Sequence, residues 1–93
     1  MIKSFNHKGL QVFFETGSKV GIQAIHAPRL SRMLSRLNES TDANGMNLPG
    51  WKLHPLKGGS LKKHFSVWAS GNWRMTFIFE GIDAVLVDYQ DYH

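Results

Sequence analysis

The chain contains no cysteine, which excludes disulfides and thiolate metal sites. No apolar run approaches the roughly 20 residues that a membrane-spanning helix requires. The opening "MIKSFNHKG" also lacks the apolar stretch of a secretory signal. Repeats, low-complexity segments and an interdomain linker are missing as well. These absences lead us to expect one soluble cytoplasmic domain over residues 1–93, with no cofactor and no membrane partner. A domain of this size buries only roughly 60–65% of its unfolded surface, so its core is adequate but not generous.

Acidic residues are scarce where basic ones gather. Against 11 Lys and Arg there are 7 Asp and Glu. Residues 1–63 hold ten of the cations and only Glu15, Glu39 and Asp42, a net of +7. Residues 64–93 hold Arg74 alone against Glu80, Asp83, Asp88 and Asp91, a net of −3. A basic front half suits a polyanionic partner, nucleic acid first, although a solvated cationic surface accounts for the same count.

The order of elements is legible from periodicity. "MIKSF" reads as a short first strand. Asn6 is the expected cap of a helix carrying Leu10, Phe13 and Phe14 on one face and ending at Gly17. A second helix is expected from about Ile25 to Asn38, with Leu30, Met33, Leu34 and Leu37 inward. Arg29, Arg32 and Arg36 form a basic stripe on its other faces, serving either phosphate contact or solvation. Residues 40–50 are loop by composition. Strands follow at 51–54, 64–69, 73–80 and 84–89, with turns at Gly71-Asn72 and Gly81. The pattern predicts an α+β fold, two N-terminal helices packed on one face of a mainly antiparallel sheet of four to five strands.

Strand parity then sorts the polar groups. Trp73, Met75, Phe77 and Phe79 form an apolar face, leaving Arg74 and Thr76 opposite. His54 and Lys52 also point away from Trp51 and Leu53. "HPLKGG" sets Lys57 on a short loop near that rim, and the terminal strand can return Asp91, Tyr92 and His93 to it. Such a set suits RNA cleavage through the 2′-OH. That reaction needs a base, an acid and fixed positive charge around the phosphorane oxygens. Arg grips two phosphate oxygens at once, and a Tyr ring stacks on an unpaired base. Each residue also has a plain structural role: His54 capping a strand end, Arg74 pairing with Glu80 or Asp88, Lys57 as a loop lysine, and Tyr92 closing a sheet edge. Asp91 and His93 alone supply too few ligands for a metal.

"MNLPGWKLHPLKG", "SGNWRMTFIFE" and the closing "VDYQDYH", in that order and spacing, resemble HigB-type toxins of the RelE superfamily. The resemblance runs over essentially the whole chain. It implies the toxin of a type II toxin–antitoxin pair, a ribosome-dependent endoribonuclease that cuts messenger RNA in the decoding site of the 70S ribosome. It also implies a helix-turn-helix antitoxin of the HigA type, with operator DNA reached only through that partner. The family's functional positions fall on His54, Lys57, Arg74, Asp91, Tyr92 and His93. Lys57 and Arg74 are expected to hold the phosphate, while His54, Asp91 and His93 share proton transfer and Tyr92 stacks on the substrate. The terminal carboxylate beside His93 favours imidazolium and hence an acid role there. Arg29, Arg32, Arg36, Lys52, Lys62 and Lys63 are the expected RNA or ribosome contacts. A non-cleaving RNA- or ribosome-binding protein of the same fold is the alternative.

Overall fold

The computed structural model describes residues 1–56 and 63–91. Lys57, Lys62, Tyr92 and His93 therefore lie outside the described residues. Helix α1 spans Lys8–Thr16 and α2 spans Ala27–Glu39, the latter entered through a 3-10 turn at Ala24–His26. A second 3-10 turn, Ala43–Met46, interrupts the connection to the sheet. Strands β1 (His54–Pro55), β2 (Phe65–Ser70), β3 (Trp73–Glu80) and β4 (Asp83–Asp91) follow. They pair antiparallel in the order β1-β2-β3-β4, giving the α+β arrangement expected.

His7, not Asn6, caps α1. Its Nδ1 accepts a 2.9 Å bond from the Leu10 N–H, filling the place of the short polar side chains usual there. At the other end Gly17 adopts φ 82° and donates to the Phe13 carbonyl at 2.8 Å. Pro28 sits in the first turn of α2, where its missing N–H costs no helical bond.

Leu10 of α1 and Leu30, Met33, Leu34 and Leu37 of α2 are buried against Val67, Met75, Phe77, Val87 and Tyr89 of the sheet. Two residues of the basic stripe brace this packing. Arg29 donates from Nε to the Trp68 carbonyl at 3.1 Å and from Nη2 to the Gly50 carbonyl at 2.8 Å. Arg36 donates from Nε to the Gly45 carbonyl at 2.8 Å. Arg32 is exposed.

Strand β4 carries a bulge. Thr76 faces Asp88 but Ile78 faces Val85, so Phe77 alone stands against Leu86 and Val87. Leu86 takes the strained left-handed φ of 54° there. The extra residue switches parity, so Ala84 points inward and then Val87 and Tyr89 do. The N-terminal segment runs parallel along this strand, bridging Ile2 to Ala84 and Phe5 to Val87. Ser4 Oγ accepts from the Leu86 N–H at the bulge itself, at 2.9 Å. "MIKSF" is thus a broken edge strand, interrupted where its neighbour bulges.

Candidate functional site

The sheet face turned away from the helices carries two transverse rows of polar side chains. His54, Ser66, Thr76 and Asp88 are consecutive cross-strand partners from β1 to β4. Two residues along, Trp68, Arg74 and Gln90 form the second row. Strands lie about 4.8 Å apart and rise about 3.4 Å per residue, so the backbones of His54 and Arg74 are offset by about 10 Å across and 7 Å along. Ser66 and Thr76 are buried between them, forming a floor, while His54, Trp68, Arg74 and Gln90 stand half-buried around it.

His54 owes its orientation to the residue two before it. Lys52 adopts φ 52°, uncommon for a residue with a Cβ, and its carbonyl meets the His54 Nδ1 at 2.9 Å. A carbonyl only accepts, so Nδ1 carries the proton. In the neutral imidazole the lone pair is therefore on Nε2. On β3, Arg74 has its Nε enclosed by protein. Asp88 is occupied on its own strand: its carboxylate accepts from the Tyr89 N–H at 2.8 Å and the Gln90 amide at 2.6 Å.

Asp91 stands one residue beyond the Arg74–Gln90 pair, opposite Trp73, and is exposed. Alternation carries its side chain to the Tyr89 side of the strand, away from the face of Arg74. Tyr89 registers that neighbour. Burial pushes its phenol above the ordinary tyrosine value, a hydrogen bond with the Gln23 backbone works against the rise, and the Asp91 charge adds to it. The same phenol is hydrogen-bonded to His26 Nδ1 inside an aromatic cluster with His7 and Trp73.

The expected cationic contacts separate into distinct groups. Lys52 is exposed and places its ammonium 4.7 Å from the centre of the Trp68 ring, with the Arg29 guanidinium 5.3 Å from the same ring. Lys63 lies elsewhere, lining an open apolar groove with Leu53, Phe65 and Phe79. Among the described residues no three His, Asp or Glu side chains converge on one metal position. Nor is any described helix long and apolar enough to cross a membrane.

Ser66 and Trp68 were not singled out by sequence reasoning. Their even parity in β2 was available, but only the register places them between His54 and the Arg74–Thr76 pair. Ser66 Oγ is buried without a hydrogen-bond partner among the described residues, an exception among buried polar groups.

Comparison with known proteins bears on the whole chain. The profile of the family described as "RelE-like toxin of type II toxin-antitoxin system HigB" matches residues 3–93. A relative from Proteus vulgaris, named Endoribonuclease HigB, is 41% identical over 93 residues, covering 100% of both chains.

Proposed function

The chain belongs to the HigB-like family of RelE-like toxins of type II toxin–antitoxin systems, and we propose that it is an endoribonuclease that cuts messenger RNA on the ribosome. Its substrate supplies the nucleophile. The 2′-OH loses its proton to a base and attacks the adjacent phosphorus, the P–O5′ bond breaks, and an acid protonates the departing 5′ oxygen. The products are a 2′,3′-cyclic phosphate and a 5′-hydroxyl.

The observation that carries this reading is the His54 imidazole, whose Nδ1 is held by the Lys52 carbonyl so that the lone pair falls on Nε2, on the sheet face that also holds Arg74. His54 is accordingly the base. Arg74 neutralises the non-bridging oxygens as negative charge builds on them, with Lys57 as a second cation. This division leaves protonation of the leaving oxygen to His93, with Tyr92 stacking on the exposed base, whereas Asp91, on the Tyr89 side of β4, takes no part in the proton transfer. Arg32, Lys62 and Lys63 follow ribosomal or messenger phosphates, contacts that weaken as salt rises.

Membership of a type II family implies an antitoxin partner. We assign that partner a HigA-type helix-turn-helix fold, and operator binding to it and not to the toxin. A reaction on translating ribosomes sets the site of action in the cytoplasm.

Primer extension on messages from cells expressing the chain tests the reading. Discrete cuts that disappear when translation is blocked are expected, and they should be lost in an Arg74→Ala variant of unchanged thermal stability. Growth arrest with intact messages would instead mark a ribosome-binding protein that does not cut. Equal cleavage of naked RNA would remove the ribosome from the mechanism.

A further inference from the structure

Trp68 is an anomaly on its face of the sheet. Its neighbours there are Ser66, Thr76, Arg74 and Gln90, and the apolar positions of β2 that fill the core are Val67 and Ala69. A half-buried indole on a polar face, directly across from Arg74, calls for a use other than core packing. Its orientation is fixed at three points. Nε1 donates to the Gly71 carbonyl at 2.8 Å, its backbone N–H donates to Trp51 at 2.7 Å, and its carbonyl accepts from Arg29 at 3.1 Å. Two cations sit near its ring: the Lys52 ammonium 4.7 Å from the centroid and the Arg29 guanidinium at 5.3 Å.

We propose that Trp68, with Lys52 and Arg29, forms a base-stacking subsite for the nucleotide that flanks the scissile phosphate. The inference rests on the endoribonuclease reading above and extends it to a residue outside that set. Cross-strand neighbours place their Cβ atoms about 5 Å apart, so a phosphate held by Arg74 brings an adjoining nucleotide onto the indole. Aromatic platforms beside cations are the general means of holding single strands, because every base has a stacking face. The two cations differ in freedom. Arg29 is bound to two carbonyls and stays, whereas Lys52 is exposed on a flexible stem. As a base arrives, the ammonium exchanges its contact with the ring for one with the flanking phosphate. The same Lys52 holds the His54 ring through its carbonyl, so base stacking and base catalysis are anchored at one residue.

The experiment is a double-mutant cycle with the full-length chain and ribosomes programmed with a defined message. Wild type, Trp68→Phe and Trp68→Leu are compared on the intact message and on messages lacking one base at each position flanking the cut. Trp68→Leu is expected to lower cleavage efficiency on the order of ten- to a hundred-fold, with Trp68→Phe between it and wild type. At one flanking position, removal of the base should cost wild type a similar factor and cost Trp68→Leu almost nothing more. Thermal midpoints of the variants should match. Independent penalties at every flanking position would overturn the inference, as would a Trp68→Leu chain that cleaves like wild type. Failure of wild type to cut the intact message would instead sink the reading beneath it.

Discussion

His26 and Tyr89 meet in a buried hydrogen bond that ties the turn before α2 to the last strand. The Tyr89 ring also stacks on Trp73 at 4.4 Å, and His7 closes the cluster at 5.4 Å. Three separate parts of the chain are thereby held at the end of β4, two residues before Asp91. Tyr89→Phe keeps the ring and deletes the hydroxyl, leaving a buried imidazole nitrogen without that partner. We expect a loss of about 1–3 kcal/mol, read from urea unfolding midpoints. An unchanged midpoint would show the bond to be worth nothing net.

The same phenol sets a dependence on alkali. A folded-state value raised above the ordinary one means that the native protein holds the proton more tightly than the unfolded chain. The associated stability is fully present below the ordinary tyrosine range and is lost as pH climbs through the folded value. Unfolding midpoints should therefore drop more steeply above about pH 10 in wild type than in Tyr89→Phe. Parallel profiles would refute the assignment.

His54→Ala should reduce cleavage by about 10²–10⁴-fold, the usual contribution of a positioned base. Its ring is only half-buried, so the thermal midpoint should move little. A variant that keeps its cleavage rate would place the base elsewhere.

Lys52 offers a test of backbone strain. At φ 52° a side chain costs roughly 1–2 kcal/mol that glycine avoids. Lys52→Gly should thus be more stable than Lys52→Ala by about 1 kcal/mol, judged by chemical denaturation. Both variants lose the cation over Trp68, so both should show a weakened salt dependence of RNA binding.

Gly9 of α1 and Gly21 of the loop before α2 lie so close that a Cβ on either would meet the other's backbone. A Cβ on Gly9 would collide with the Gly21 carbonyl, which is backbone and yields poorly. Gly9→Ala should cost about 1–3 kcal/mol despite its favourable helix propensity. Gly17→Ala meets nothing nearby, so its cost should come from the left-handed φ alone. Thermal unfolding of the pair separates collision from strain.

Much of the fold was legible because its signals are local. Leu30, Met33, Leu34 and Leu37 announce an amphipathic helix by spacing, and Gly71 and Gly81 announce hairpins by their conformational freedom. Other features depend on local rules that have rivals. Asn6 is the more usual cap, yet the helix begins one residue later and the His7 ring takes the Leu10 N–H. Arg29 and Arg36 have helical spacing suited to an open stripe, yet each finds a backbone carbonyl within reach of its long side chain.

The order of residues alone determined which side chains alternate within β3, and so set Arg74 and Thr76 opposite Met75 and Phe77, because pleating has a period of two. Only the tertiary structure decided which residue faces which. The bulge at Leu86 resets parity midway along β4, bringing Gln90 opposite Arg74 and turning Asp91 toward Tyr89. The β2 register likewise inserts Trp68 beside Arg74. Register is the sum of many weak contacts between distant segments, and no short stretch of sequence contains it.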